Sequence, residues 1–162
     1  MFVNWLRTNV YASILLLLAR LYIGYEWISA GYEKLSDGFS AAKFLQGAID
    51  KPVVTHDQIV YPLYNAFLKA FALPNVGLIN FIIPWAEVLV GLGLLLGCLT
   101  TVAGFFGMTM NTAFMLAGTV SSNPWMLVIT IFILVAGRNA GKFGLDRYVL
   151  PYIDFWFKPT KE

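Results

Sequence analysis

The chain has 162 residues, of which 59% are hydrophobic and only 12% are charged, whereas soluble domains carry about 25% charged residues. This composition indicates an integral membrane protein that forms one domain over residues 1–162. The net charge of +2 is too small to favour nucleic acid as a partner. The single Cys98 excludes an internal disulfide and a C-x-x-C redox centre, and the single histidine argues against zinc or haem sites.

The first predicted span runs from about residue 10 to 35 and ends at turn residues. Its second half carries charges, and one charge near the middle of a spanning helix costs about 2.5–3.5 kcal/mol. Such side chains normally face the protein interior and meet a partner. Helical periodicity sorts them into a cationic stripe and an acidic stripe, which contain Arg20, Gly24, Trp27, Gly31 and Lys34 in the first and Tyr22, Glu26, Ser29 and Glu33 in the second.

Residues 39–77 form a long polar and apolar connection, which we expect to be an amphipathic helical loop at the membrane interface. Two pieces are predicted to be helical, Ser40–Ile49 and the aromatic-rich Tyr61–Leu73. The second piece is too short to span a bilayer, so we expect it to lie in the interface as a lid. The alternative is a surface loop that only shields the helices.

Three further spans are predicted, at about residues 78–99, 102–120 and 124–138. Thr100 and Thr101 are expected to form a tight hairpin between the first two of them. Glu87 falls at membrane depth in the second span of the chain, and Asn111 is the one strongly polar side chain of the third. The predicted fold is therefore an all-α, four-helix membrane bundle with a basic C-terminal segment over residues 137–162.

The distribution of cations predicts the orientation in the cell membrane. An even number of spans puts both termini on one side, and the positive-inside bias makes that side cytoplasmic. The cations outside the spans that lie near the termini are Arg7, Arg138, Lys142, Arg147, Lys158 and Lys161.

The polar side chains at membrane depth indicate what the bundle can bind. Arg20 is expected to pair with either Glu26 or Glu87, which leaves one carboxyl group to be protonated, solvated or matched by Lys34. A buried carboxyl group can pass protons, and Asn111 with an aromatic wall suits a flat ring with two carbonyl groups. A quinone fits this description, although the same residues also suit a purely structural polar lock. We predict catalytic roles for Arg20, Glu26 and Glu87, and substrate binding by Trp27, Lys34 and Asn111.

Three sequence patterns resemble the DoxX/DoxD family of small membrane proteins. The pattern R-x(3)-G-x(6)-G-x(2)-K-L that begins at Arg20 resembles the first helix of that family. The run EVLVGLGLLLG at Glu87–Gly97 resembles its second helix, and AGRNAGKFGLDR at Ala136–Arg147 resembles its C-terminal signature. The likeness covers nearly the whole chain, and the long first connection is closer to the DoxD type.

The resemblance implies a four-helix membrane bundle that serves a quinone-linked oxidoreductase. In the DoxD enzymes electrons pass from thiosulfate to a membrane quinone and give tetrathionate. For this chain we expect Arg20 and Lys34 to guide the thiosulfate dianion and Trp27 to pack against the quinone ring. The sequence carries no flavin, haem or iron–sulfur motif, so electrons would pass directly between substrates or through a second subunit.

Two other functions stay open at this point. The chain is a non-catalytic scaffold if its basic segment 137–162 docks a soluble redox or stress-defence protein. It is a small-molecule carrier if the buried charges line a path, although the two halves lack evident inverted repeats. Cys98 sits in an apolar turn with no cation beside it, which favours packing over catalysis.

Overall fold

The structure is a computed structural model, and it describes residues 1–157. Within them the chain is mostly helical, with one short hairpin of strands β1 and β2. The elements in chain order are α1 Phe2–Thr8, α2 Val10–Ser36, α3 Ala42–Asp50, β1 Val54–Thr55, β2 Gln58–Ile59, α4 Pro62–Phe67 continuing into a π-helical turn Leu68–Ala72, α5 Val76–Leu96, α6 Thr100–Leu116, α7 Asn123–Ala136 continuing into a 3-10 turn Gly137–Gly141, and α8 Asp146–Phe157.

Three segments are long and apolar enough to cross a membrane. They are α2, α5 and the continuous segment Asn123–Gly141 that contains α7. Helix α6 is 17 residues long and packs against both α5 and α7. The described residues thus form a helical core in which α2 and α5 make the most extensive contact and α6 and α7 the next.

The predicted span boundaries need correction at α5 and α6. The first span ends one residue later than predicted, and the fourth is close to its prediction. Helix α5 stops at Leu96, because Gly97 adopts φ +62 as a left-handed cap. Thr100 was predicted to lie in a tight hairpin, but in the structure it begins α6. This helix ends at Leu116 rather than near residue 120.

Small residues allow α2 and α5 to pack closely. A Cβ built on Gly24 would lie 3.0 Å from the carbonyl oxygen of Gly91, and one built on Gly31 would lie 2.9 Å from that of Pro84. Of the stripe that begins at Arg20, Gly24, Trp27, Gly31 and Arg20 itself are buried, and Lys34 at its end is partly exposed. The acidic stripe is mostly exposed, and only Glu26 in it is half-buried.

The helical core has two distinct ends. We call the end formed by α1, the start of α2 and the 3-10 turn the terminal end. There Arg7 Nε donates to the carbonyl oxygen of Val135 at 2.9 Å, and Asn139 Nδ2 donates to that of Leu6 at 2.7 Å. The opposite end, where α2 and α6 finish and α5 and α7 begin, we call the loop end.

The connection between α2 and α5 is a folded layer over the loop end. Its two predicted helical pieces are present as α3 and as α4 with the π-helical turn. The hairpin between them was not predicted, and its turn residues His56 and Asp57 have φ of 46 and 60. Buried apolar side chains of the connection form a second small core, made of Ala41, Leu45, Ala48, Ile49, Leu68 and Ala72.

Helix α8 follows the 3-10 turn and presents large aromatic side chains on its exposed face. Tyr148, Tyr152, Phe155 and Trp156 are each more than half exposed. This agrees with the interfacial placement that an amphipathic aromatic helix favours. The predicted basic tail beyond it, with Lys158 and Lys161, lies outside the described residues.

Candidate functional site

A cavity of about 480 Å³ lies at the loop end, between the helical core and the connection that covers it. Helices α2, α5, α6 and α7 form its walls, and α3, α4 and the π-helical turn close it from above. Most of its lining is apolar, and six of the lining side chains are aromatic: Trp27, Phe39, Phe44, Tyr64, Phe67 and Phe114.

An ion pair is embedded in this apolar wall. Lys34 Nζ donates to Glu87 Oε2 at 2.8 Å, across the interface between α2 and α5. The Glu87 side chain is 1% exposed and that of Lys34 is 26% exposed. Lys34 Nζ also donates to the carbonyl oxygen of Ala30 at 3.2 Å, and it lies 5.8 Å from the centroid of the Phe39 ring. The ammonium group is thus held in place by three neighbours.

Glu26 lines the same cavity from α2. It lies four residues before Ala30 and eight before Lys34, so one face of the helix presents all three to the cavity. Among the described residues its carboxyl group has no hydrogen-bond or ion-pair partner. The cavity therefore contains a paired and an unpaired carboxyl group.

Trp27 forms part of the cavity wall, and its indole nitrogen points elsewhere. The side chain is buried, and Nε1 has no hydrogen-bond partner within residues 1–157. A Cβ built on Gly107 of α6 would lie 3.1 Å from Nε1, so the N–H group faces that helix. Trp27 therefore offers the cavity its ring rather than a hydrogen bond.

Asn111 does not line the cavity, contrary to its predicted role in substrate binding. It follows Gly107 by one turn of α6 and is fully buried. Neither Oδ1 nor Nδ2 has a partner in the part of the chain that the structure describes. Asn111 is therefore a buried residue of the helical core and not one of those that line the cavity.

Arg20 lies at the terminal end, and its predicted pairing with Glu26 or Glu87 is wrong. Its fully buried guanidinium group donates from Nη1 to the carbonyl oxygen of Leu94 and from Nη2 to that of Phe143, both at 3.1 Å. Arg20 and Lys34 are about 21 Å apart along the axis of α2, at about 1.5 Å per residue. They cannot hold one thiosulfate ion together.

Asp146 is a buried capping residue at the terminal end whose role was not predicted from the sequence. Its buried carboxylate accepts from the backbone N–H of Leu99 at 2.6 Å and from that of Thr100 at 3.0 Å. It thereby caps the N-terminus of α6, where an anion is favoured. The sequence offered one indication of this role, because Asp146 is the single acidic residue among the cations of the C-terminal signature.

Tyr64 is the cavity residue least evident from the sequence. Its hydroxyl group donates to the carbonyl oxygen of Ala113 at 2.8 Å and so ties α4 to α6. Burial raises the pKa of the Tyr64 phenol above its usual value. The aromatic richness of Tyr61–Leu73 predicted a lid, and in the structure Tyr64 of this segment lines the cavity and contacts α6.

The arrangement can hold a flat, mostly apolar ring with a polar edge near the ion pair. No group of three or more His, Cys, Asp or Glu side chains that could hold a metal ion occurs within residues 1–157. Cys98 is a half-buried free thiol in the turn between α5 and α6, at the end of the molecule opposite the cavity.

Comparison with known proteins identifies the family. The DoxX family model matches residues 15–120, which is more than half of the chain. No curated protein and no solved structure matches the chain. The matched range starts inside α2 and ends just after α6, so it includes both partners of the ion pair. The resemblance seen in the sequence is confirmed: the chain belongs to the DoxX family, and it is a membrane protein.

Proposed function

We propose that this chain is the membrane subunit of a quinone-linked oxidoreductase and that its cavity binds the quinone ring. The observation that carries the proposal is an apolar, aromatic cavity with one ion pair in its wall. A volume of about 480 Å³ falls in the range of about 300–1,000 Å³ that is usual for small-molecule sites. A few fixed polar groups in such a cavity orient the ligand.

Lys34 can donate a hydrogen bond to one quinone carbonyl group. An ammonium group has three N–H donors, and two of them are used by Glu87 and by the carbonyl oxygen of Ala30. The third donor is available to a ligand. The ring itself packs against aromatic lining residues such as Trp27 and Phe114.

Lys34 and the two carboxyl groups supply the protons. Reduction of a quinone takes up two electrons and two protons and gives the quinol. Lys34 donates the hydrogen bond to Glu87, so the Lys34 ammonium group gives one proton to the reduced ring, and the Glu87 carboxylate relays a proton from the aqueous side back to Lys34. Glu26, which lines the same cavity, gives the second proton in its protonated form. It is then reprotonated from the aqueous side of the loop end.

The electrons come from a donor on a second subunit or a soluble redox partner. When the donor is thiosulfate, two thiosulfate ions join through a new S–S bond, give one tetrathionate ion and release two electrons. Arg20 is remote from the cavity, and Lys34 is already paired with Glu87. Among residues 1–157 the cavity wall has no unpaired cation for a dianion, which supports a donor site on the partner.

We also assign α6 as the fourth span of a four-helix membrane bundle. Its 17 residues extend about 26 Å, close to the hydrocarbon thickness of about 30 Å. Four spans put both termini on one side of the cell membrane, consistent with the contacts of Arg7 and Asn139 at the terminal end. The positive-inside bias makes that side cytoplasmic.

Ring binding is tested by tryptophan fluorescence in the purified full-length chain. A water-soluble ubiquinone analogue is expected to quench Trp27 saturably. Trp27→Phe is expected to remove most of the saturable quenching, whereas Trp85→Phe, on an exposed face of α5, keeps it. Ala30→Phe fills the cavity and is expected to weaken binding at least tenfold, and Ala66→Phe, on the exposed side of α4, is its control.

Turnover is tested in membranes that contain this chain together with its donor subunit. The readout is the thiosulfate-dependent loss of quinone absorbance. Glu87→Gln is expected to lower the rate about 100-fold or more while the analogue still binds. Quenching that is unchanged by both Trp27→Phe and Ala30→Phe would refute the quinone site and leave the scaffold and carrier roles as the remaining predictions.

A further inference from the structure

A second recess, a groove of about 370 Å³, lies at the terminal end and is basic. Residues of α1, the 3-10 turn and the start of α8 line it. Its charged lining consists of the four cations Arg7, Arg138, Lys142 and Arg147 and the single acid Asp146. This groove lies at the opposite end of the helical core from the cavity and plays no part in the proposed quinone chemistry.

The charges of the groove do not cancel among the described residues. Arg138 Nη2 pairs with Asp154 Oδ1 at 2.8 Å. The carboxylate of Asp146 is buried and is occupied by two backbone N–H groups of the α6 N-terminus. Lys142 and Arg147 have no acidic partner within residues 1–157, so the groove carries a positive excess.

The two walls of the groove continue into aromatic surfaces. On the side of α1, Phe2 is 59% exposed and Trp5 is 37% exposed. On the side of α8, Tyr148 and Tyr152 are both about two-thirds exposed. Aromatic side chains of this kind concentrate at the headgroup level of a bilayer, and short amphipathic helices lie in the same plane.

We propose that this groove binds the phosphodiester headgroup of an anionic phospholipid. Lys142, Arg147 and the unused N–H groups of Arg7 would contact the phosphate oxygens, with guanidinium suited to paired hydrogen bonds. Leu150 and Pro151 also line the groove, and they would contact the glycerol and the first methylene groups. Basic recesses at the cytoplasmic ends of membrane helices are suited to this type of ligand.

A lipid headgroup explains the surroundings better than a soluble anion does. Free phosphate would need only the cations, whereas the exposed rings of α1 and α8 would remain in water. A phospholipid uses both features. Its headgroup contacts the cations, and its acyl chains extend along the apolar surfaces beside the exposed rings. A flat acidic protein surface would not enter a recess that two helices flank.

The test measures lipid binding to the intact chain by native mass spectrometry from detergent micelles. The probes are dioctanoyl phosphatidylglycerol, which is anionic, and dioctanoyl phosphatidylcholine, which has no net charge. The wild-type chain is expected to bind one phosphatidylglycerol at least tenfold more tightly than phosphatidylcholine. The double variant Lys142→Gln/Arg147→Gln is expected to lose this preference, about tenfold or more for two cations.

Two control variants separate a specific groove from general charge. Lys43→Gln/Lys69→Gln removes the same charge from exposed positions at the loop end and is expected to keep the preference. Lys142→Arg/Arg147→Lys retains both positive charges and is expected to retain the preference for phosphatidylglycerol. This result would show that the loss in the Gln double variant follows from the removed charges rather than from a folding defect. Equal loss in the loop-end variant would overturn the proposal.

Inorganic phosphate and an acidic peptide test the two other occupants. A large molar excess of either is expected to leave the bound phosphatidylglycerol in place. Displacement by inorganic phosphate would make the groove a free-anion site, and displacement by a polyglutamate peptide would make it a protein-docking site. Either result overturns the headgroup assignment, and neither affects quinone binding at the loop end.

Discussion

Lys34 Nζ and Glu87 Oε2 lie 2.8 Å apart, and the two partners of this ion pair are buried to very different extents. Both side chains line the cavity, but that of Glu87 is only 1% exposed, whereas that of Lys34 is 26% exposed. Removing the cation therefore leaves a buried, uncompensated anion. Removing the anion leaves a cation that water or a ligand can still reach.

We predict an unequal effect on stability when each partner is removed. Lys34→Met is expected to lower the free energy of unfolding by about 3 kcal/mol, because it leaves Glu87 unpaired in an apolar wall. Glu87→Gln is expected to cost about 1 kcal/mol, because Gln still accepts a hydrogen bond from Lys34. Denaturation in mixed micelles measures both, with Lys43→Met at an exposed position as the control. Equal costs would contradict the burial difference.

Arg20 is expected to act on stability and not on quinone binding. Arg20→Lys cannot donate to the carbonyl oxygens of both Leu94 and Phe143, so we expect a loss of about 2–3 kcal/mol. The saturable quenching of Trp27 by the quinone analogue should stay within twofold of wild type in the folded fraction. A tenfold weaker affinity in that fraction would restore Arg20 as a site residue.

The close packing of α2 on α5 predicts a strong effect at Gly91. A Cβ added there would meet the carbonyl oxygen of Gly24 and the backbone nitrogen of Ile28, both at 2.8 Å. Because backbone atoms cannot move aside, Gly91→Ala is expected to destabilise the protein by about 2–3 kcal/mol. Thermal unfolding in detergent provides the measurement.

Gly47 is the matched control for this substitution. It lies inside α3, and a Cβ added there would meet no atom within 4 Å. Gly47→Ala is expected to stabilise the protein by about 0.5–1 kcal/mol, through helix propensity alone. A stabilising Gly91→Ala would mean that α2 and α5 are farther apart than the structure places them.

Much of this architecture could be predicted from helical periodicity. The interior stripe from Arg20 to Lys34 and the depth of Glu87 both follow from the spacing of polar side chains in apolar runs. The partner of Arg20 could not be predicted, because its acceptors are backbone carbonyl groups, one of which belongs to Phe143. Every residue has a backbone carbonyl group, so the sequence does not show which one accepts a hydrogen bond. Matching side-chain charges alone therefore gave the wrong partner.

The cavity lid was predictable as a helical, aromatic segment but not as a set of contacts. Tyr64 was one of several aromatic residues in the segment, and its hydrogen bond to Ala113 depends on how the connection folds back over α6. Asn111 was predicted to bind the substrate, but it is not among the residues that line the cavity. A lone polar residue in an apolar helix indicates an interior face, but not whether that face meets a cavity or another helix.

Tyr64 predicts how the protein responds to alkaline pH. Burial raises the pKa of its phenol above the usual value of about 10, so the folded state favours the protonated form. The stability that depends on this proton is fully present below the unfolded pKa and is lost as the pH rises through the folded pKa. We therefore expect unfolding to become easier above about pH 10, as measured by denaturation midpoints.

Ultraviolet titration at the phenolate band identifies the group responsible. Wild-type protein should show a late tyrosine ionisation step, and Tyr64→Phe should remove it. Tyr32→Phe, whose side chain is 69% exposed, is the control and should leave it. A late step that persists in Tyr64→Phe would assign it to a different tyrosine.

The contacts of Arg20 and Asp146 have a consequence for biogenesis. Helix α2 enters the bilayer early in synthesis, but one acceptor for its guanidinium group and the cap of α6 come from residues 143–146, which the ribosome makes more than a hundred residues later. Until then the guanidinium group of Arg20 has only one of its two acceptors, the carbonyl oxygen of Leu94. A chain that ends before residue 143 lacks one of the two acceptors of a buried guanidinium group and the cap of α6, so we expect it to be less stable in the membrane than the full chain.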